Sequence, residues 1–261
     1  MVSQSKIDQA ARLLHPAKHP SALTGAGVSK ESGIPTFRDA LDGLWARFNP
    51  QELATPFAFL QNPKLVWDFY EYRRQLMRPA KPNPGHRALA ELERIFGGLP
   101  IITQNIDALH EDAGSAQVIA LHGKIAVNKC FYNCQGDPTP VDVSKIAYDQ
   151  NDGPPPCPHC GRKMVRPAVV WFGEMLPPAA LAAARAVLHT TDVMLVIGTS
   201  GIVQPAASMP LLAQDSGAAL IEVNPYESEL TDRVDLWLDG PSGEVLPRLV
   251  AAVKKLRGNA G

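Results

Sequence analysis

The sequence predicts an α/β fold, a doubly wound parallel sheet with a smaller domain formed by two insertions. Three observations predict it. Short Val/Ile/Leu-rich runs recur along the chain and end in polar or glycine-rich tips. Helical patterns separate several of them. All four cysteines fall between positions 130 and 160, in a stretch that breaks this alternation.

The elements follow in order. An amphipathic helix near the start carries Ile7, Ala10, Ala11 and Leu14 on one side. Strands are expected at Ser21–Thr24, Leu99–Thr103, Val118–Leu121, Val193–Ile197 and Leu220–Val223. Their near-continuous apolar character is that of parallel strands covered on both faces. Helices are expected at His86–Ile95, Ala179–Leu188, Ala206–Ala213 and Gly243–Leu256. In such a Rossmann-like sheet ligands bind beyond the carboxyl ends of the strands. Gly25–Gly27, Gln104–Asp107, His122–Gly123, Gly198–Ser200 and Asn224 occupy those ends. The sheet domain takes residues 1–38, 87–122 and 168–261. The small domain takes 39–86, helical and rich in aromatics, and 123–167, which holds the cysteines and the turn Gly153–Pro156.

A chain of 261 residues that is 45% hydrophobic can bury a full core. Its net charge of −1 supplies no basic field for nucleic acid. No apolar run approaches membrane-spanning length, and the first 20 residues show no secretory signal, so no membrane partner and a cytoplasmic location are expected.

The cysteines read Cys130-x3-Cys134 and Cys157-x2-Cys160. Two close pairs on separate knuckles fit tetrahedral thiolate coordination of one structural zinc. The first pair is one residue wider than the usual knuckle, and His159 is an alternative ligand. Between the pairs stand Asp137, Asp142, Asp149 and Asp152 against Lys145 alone, which argues against a nucleic-acid-binding ribbon.

Thr24 to Arg38 reads TGAGVSKESGIPTFR. Gly25 and Gly27 after an apolar run let the backbone turn tightly and offer bare N–H groups to phosphate oxygens. Position 30 is Lys where a dehydrogenase fingerprint would carry its third glycine. Thr103–His110 reads TQNIDALH; its amides and carboxylate can hydrogen-bond an amide and ribose hydroxyls, and Asn105 or Asp107 can also cap the next helix. His122 ends an apolar strand just before Gly123, and an imidazole there can act as general base. His86, His110 and His189 lack such context and read as structural or surface residues.

Together these strings resemble the sirtuins, the NAD-dependent protein deacylases, over nearly the whole chain. The resemblance implies NAD as co-substrate, held by Gly25, Ala26, Gly27, Phe37, Arg38, Gln104, Asn105, Asp107, Gly198, Thr199, Ser200, Asn224 and Ser242. It implies that His122 takes a proton from a ribose hydroxyl. Arg166–Glu174 resembles the family's substrate-cleft strand, which places Val169, Trp171, Phe172 and Gly173 against an extended peptide. The partners implied are acylated lysine side chains of proteins.

In the helical segment Lys64–Met77, Leu65, Phe69, Tyr72 and Leu76 form one face suited to the core, and Val66, Tyr70, Arg73 and Met77 the next. Tyr70 and Arg73 stand side by side, where a guanidinium beside a phenol can bind a carboxylate. With Ala54 before them, they match the bacterial and archaeal sirtuins that remove succinyl and malonyl groups. The expected activity is NAD-dependent desuccinylation or demalonylation, with deacetylation, yielding nicotinamide, O-acyl-ADP-ribose and free lysine. Alternatives are mono-ADP-ribosyl transfer and a non-catalytic NAD or ADP-ribose sensor.

Overall fold

A computed structural model describes residues 2–36 and 49–258; Phe37 and Arg38 lie outside the described residues. The chain divides into two compact units. The first comprises Met1–Thr36, Lys81–Leu121 and Pro177–Gly261, and the second Phe37–Ala80 and His122–Leu176.

The first unit is a six-stranded parallel sheet. Its strands are β1 (Pro20–Thr24), β2 (Ile101–Thr103), β3 (Val118–Ala120), β6 (Val193–Ile197), β7 (Ala219–Val223) and β8 (Leu236–Leu238), and their order is β3-β2-β1-β6-β7-β8. β4 (Gly123–Cys130) and β5 (Val165–Val169) belong to the second unit. The order reverses between β1 and β6, so this pair is the topological switch point. β1 and β6 are buried along their whole length, as expected of strands covered on both faces. The helix Gln4–Leu14 begins at Ser3, whose hydroxyl accepts the Lys6 N–H, and buries the expected Ile7, Ala10, Ala11 and Leu14. These pack in one cluster with Leu89, Leu195, Ile221, Leu246 and Leu249.

Two elements depart from expectation. β8 is a three-residue strand too short to stand out in the sequence. The expected helix Ala206–Ala213 begins as a tight 3-10 turn, Ala206–Ser208, and becomes α-helical over Met209–Asp215. Pro210 sits in the first turn of that helix, where its missing N–H costs nothing.

In the second unit β4 and β5 pair antiparallel, with an irregularity between Lys124 and Asn128. The expected boundary at residue 168 falls inside β5, and this pairing carries residues 168–176 into the second unit. Residues 81–86 go the other way, because Asn83 Nδ2 donates to Val28 O (2.7 Å) and Ser32 Oγ (3.0 Å). The helix Pro63–Met77 is capped by Asn62 and buries Val66, Trp67, Phe69 and Tyr70. Of the expected Leu65–Phe69–Tyr72–Leu76 face only Phe69 is fully buried, and Leu65, Tyr72 and Leu76 are half-buried. Trp67 packs into a small cluster with Cys130, Val141, Cys157 and Val165, and that contact turns the helix.

Candidate active site

Among the loops at the switch point, glycine is required by contact between backbones. A Cβ on Gly25 would lie 2.8 Å from Gly198 O, and one on Gly27 would lie 2.7 Å from Gly198 Cα. Gly198 itself has φ +59° and would drive a Cβ to 2.5 Å from Val28 N. The expected bare N–H groups are a correction. Gly25 N–H donates to Ile197 O and Gly27 N–H to Gly198 O, both at 2.9 Å, because the β1 loop leans on the β6 loop. Among the described residues Ala26 N–H, between them, has no such backbone partner and could donate to a ligand oxygen.

Behind this loop the polar groups form one network. Ser29 Oγ donates to Asp107 Oδ2 (3.0 Å) and accepts from Asn105 Nδ2 (3.0 Å). His86 Nδ1 accepts the Asn83 N–H (3.3 Å), which leaves the proton on Nε2, 3.4 Å from Ser29 Oγ. Asp107 Oδ1 also accepts the Leu109 N–H (3.0 Å) at the start of the helix Leu109–Asp112, the capping use expected of it. Burial pushes the Asp107 carboxyl up, against the pull of the Leu109 N–H and the Ser29 hydroxyl. Burial, with His110 and Arg87 nearby, lowers His86 to about 3, and burial lowers His110 to about 4. Both imidazoles are neutral near pH 7.

The loops that follow β2, β6 and β7 are tied together. Gln104 Nε2 donates to Thr199 Oγ1 (3.0 Å), and Asn224 Nδ2 donates to Thr199 O (2.9 Å). Glu222 is fully buried and accepts from Ser228 and Thr231 hydroxyls, both at 2.6 Å. Ser200 is half-buried beside Thr199. Ser242 opens the last helix, Ser242–Gly258, and donates to Glu31 Oε2 (3.2 Å), which also accepts the Gly243 N–H. This set of backbone N–H, amide and carboxylate groups beyond the carboxyl ends of the strands suits the phosphates and hydroxyls of a dinucleotide.

In the second unit His122 is half-buried, and its carbonyl accepts the Val170 N–H (2.9 Å). Gly123 follows with φ +75°, and a Cβ there would lie 2.0 Å from Ala168 O. Only glycine lets β4 approach β5 this closely, so the His-Gly pair is set by strand geometry. β5 ends at Val169, and residues 171–174 form a turn with Gly173 at φ +87°, shorter than the cleft strand expected through Glu174. Val169 and Trp171 are buried, Phe172 is exposed, and Phe172 N–H donates to Ala54 O (2.9 Å). Ala54 is buried.

Tyr70 is 1% exposed, and the Arg73 guanidinium carbon lies 5.8 Å from its ring centroid. Burial pushes the Tyr70 phenol up, against the pull of Arg73 and of a hydrogen bond from Trp171, so the hydroxyl keeps its proton.

Among the described residues the four cysteines form the one group suited to a metal, with all four sulfur atoms within 4.8 Å of one another. Cys130 Sγ lies 3.9 Å from Cys160 Sγ, and Cys134 Sγ 3.7 Å from Cys157 Sγ. Four Zn–S bonds of about 2.3 Å around a tetrahedral centre require about 3.8 Å between sulfurs, so the cluster fits zinc with no position open to substrate. The extra residue of the first pair is absorbed by Asn133, which takes the left-handed conformation at φ 46°. His159 is outside the group. Its backbone N–H hydrogen-bonds to Cys157 Sγ instead.

Comparison with known proteins decides the family. The pattern described as Sir2 family matches residues 25–205. The chain belongs to the Sir2 family. It is 47% identical over 250 residues to the "NAD-dependent protein deacylase" of Pyrococcus abyssi (strain GE5 / Orsay), covering 96% of this chain and 99% of that one. Its fold is similar to that in the crystal structure of a Sir2 homolog–NAD complex, with TM-score 0.87, 46% identity, and 95% and 94% of the two chains covered. It is also similar to Sir2Af2 bound to a myristoylated histone peptide, with TM-score 0.78, 37% identity, and 98% and 100% covered.

Three residues to which the sequence of this Sir2 chain assigned no binding or catalytic role support the candidate site, His86 among them as the structural residue expected. Ser29 joins Asn105 to Asp107, and His86 supports Ser29; their sequence signals are the Ser inside TGAGVS and the Asn-Pro-Gly-His start of a helix. The third is Arg166, 1% exposed, whose guanidinium binds Glu174 through two nitrogens at 2.6 and 3.0 Å.

Proposed function

We propose that this chain is an NAD-dependent protein-lysine deacylase with a preference for acidic acyl groups, acting on acylated lysine side chains of proteins. Two supports carry the general activity: similarity along nearly the whole chain to proteins named for it, and a polar network suited to NAD. When bound, NAD would supply an electrophilic C1′ with nicotinamide as its leaving group and a ribose hydroxyl to receive the acyl group, with water consumed in releasing the free lysine. Ala26 N–H and the loop Gly198–Ser200 bind the phosphates; Gln104, Asn105 and Asp107 hold the nicotinamide end, and Asn224 and Ser242 the adenosine end. His122 accepts a proton from a ribose hydroxyl. β5 and the following turn, Val169–Gly173, bind the substrate backbone by pairing, as an extended peptide adds to a strand. The zinc supplies rigidity to the second unit and no step of the reaction.

The acidic preference rests on one observation, a protonated, buried Tyr70 hydroxyl beside the Arg73 guanidinium. A cation and a neutral donor side by side bind a carboxylate in preference to a methyl group. The small side chain of Ala54 leaves room for the longer tail. Purified protein, NAD and matched acetyl-, malonyl-, succinyl- and glutaryl-lysine peptides test the reading. Free lysine peptide and O-acyl-ADP-ribose are the expected products, with the highest kcat/KM on an acidic acyl group. ADP-ribosylated protein as the main product overturns the reading in favour of mono-ADP-ribosyl transfer. Binding of NAD without turnover of any peptide overturns it in favour of a sensor.

A further inference from the structure

Trp171 is held at three points. Its backbone N–H donates to Glu174 Oε2 (2.8 Å), the Arg166 guanidinium carbon lies 3.2 Å from its ring centroid, and its indole Nε1–H donates to Tyr70 Oη (2.9 Å). Trp171 and Tyr70 are each 1% exposed. Arg166 is itself fixed by Glu174 and by Val169 O (2.6 Å). Burial opposes ionisation of Glu174, yet the Arg166 guanidinium holds its carboxyl below the usual range, so the clamp is charged.

A phenol oxygen that accepts a bond from a fixed donor has its own proton left to give. Among the described residues nothing accepts that proton, and an unpaired buried donor is costly unless a ligand group meets it. Accepting the indole bond also polarises the O–H and makes it a stronger donor. Tyr70 cannot turn its acceptor lone pair outward without giving up the indole. We propose that Trp171 is a positioning residue for acyl specificity, fixing the Tyr70 hydroxyl as a donor and never an acceptor toward the acyl tail. Such a site favours a carboxylate tail over tails that present a donor or no polar atom. The inference rests on the acidic-acyl reading above and adds the residue that enforces it.

The test is a double-mutant cycle of Trp171→Phe and Tyr70→Phe, read as the succinyl-to-acetyl ratio of kcat/KM. Phenylalanine keeps most of the ring packing and removes the N–H. Loss of one neutral hydrogen bond predicts a ratio lowered about 3- to 10-fold in Trp171→Phe. In the Tyr70→Phe background the same change should leave the ratio where Tyr70→Phe put it. An equal fractional loss in both backgrounds, or no change in either, overturns the inference. Arg73→Met separates the two levels. If it leaves the ratio intact, the acidic-acyl reading fails and takes this inference with it. If it lowers the ratio while Trp171→Phe does not, only the role of Trp171 fails. Should Trp171→Phe not fold, protein labelled with 15N-tryptophan gives the same answer. The indole resonance that changes in Tyr70→Phe should shift further with succinyl-lysine peptide than with acetyl-lysine peptide; equal shifts overturn the inference.

Discussion

The two units solve the same problem, holding loops in register for chemistry, with different materials. The first hangs its loops on six parallel strands above a large apolar cluster. There the loops touch backbone to backbone, and Gly25, Gly27 and Gly198 exist to allow it. Among the described residues the second has one pair of strands, and two of the five buried residues in one of its clusters are cysteines of the metal site. A two-stranded sheet is marginal in water by itself. The zinc site thus shares part of that unit's packing, beside a second set of buried aromatics, Phe59, Phe69, Tyr70 and Trp171, while the large cluster of the first unit contains no cysteine.

Zinc removal breaks this comparison most severely. Structural zinc contributes roughly 10–16 kcal/mol of apparent folding free energy in small metal-dependent peptides, far more than one apolar cluster of this size supplies. A chelator should melt the second unit and leave the first folded. Hydrogen exchange should show protection lost over β4 and β5 and kept over β1 and β6. Cys134→Ser and Cys157→Ser should lower zinc content alike, and His159→Ala should not. Equal loss of protection in both units would show that the first also leans on the metal.

His122→Ala comes next, with deacylation reduced about 10²- to 10⁴-fold, the usual share of a general base. The loops proposed to hold the NAD phosphates belong to the first unit, so NAD affinity by calorimetry should stay close to native. A comparable loss of NAD affinity would assign His122 to binding.

Acid sharpens the contrast from the other side. His86 and His110 have folded-state values of about 3 and about 4, below the ordinary 6.5, so the unfolded chain binds their protons more tightly. Their contribution to stability is whole above pH 6.5 and is lost as pH falls from there toward 4 and then 3. The slope approaches about 1.4 kcal/mol per pH unit for each histidine. Asp107, raised by burial, acts in the opposite sense and takes up its proton in the folded state at higher pH than when unfolded. Denaturant melts of zinc-loaded protein between pH 7 and 4.5 should show the first unit losing stability. His86→Gln should reduce the slope; an unchanged slope would place the titration elsewhere.

Arg73→Met carries a smaller effect than His122→Ala. A charge-assisted hydrogen bond is worth roughly 1.5–3 kcal/mol, or about 10- to 150-fold in kcat/KM on a succinyl peptide. Tyr70→Phe should act in the same direction more weakly, because the phenol is neutral. Equal losses on succinyl and acetyl peptides would make Arg73 a structural residue of the second unit.

What the sequence determined by itself is whatever neighbours along the chain can specify. Apolar runs marked the long parallel strands, because burial on both faces writes itself into consecutive residues. The CPHC knuckle, the His-Gly pair and the TGAGVS loop were legible for the same reason. Tertiary structure decided what depends on partners far away in sequence. The bare N–H groups expected at Gly25 and Gly27 are bound by a loop that arrives about 170 residues later, which no local pattern announces. The helix Pro63–Met77 buries Trp67 rather than Leu65 because the cysteine cluster, not the helix, supplies the contact. His86 reads as an ordinary helix residue until its cap and Ser29 close around it, and Trp171 meets Tyr70 across 101 residues. A side chain's type is local, but burial and hydrogen-bond partners, which set its proton and its role, belong to the packed chain.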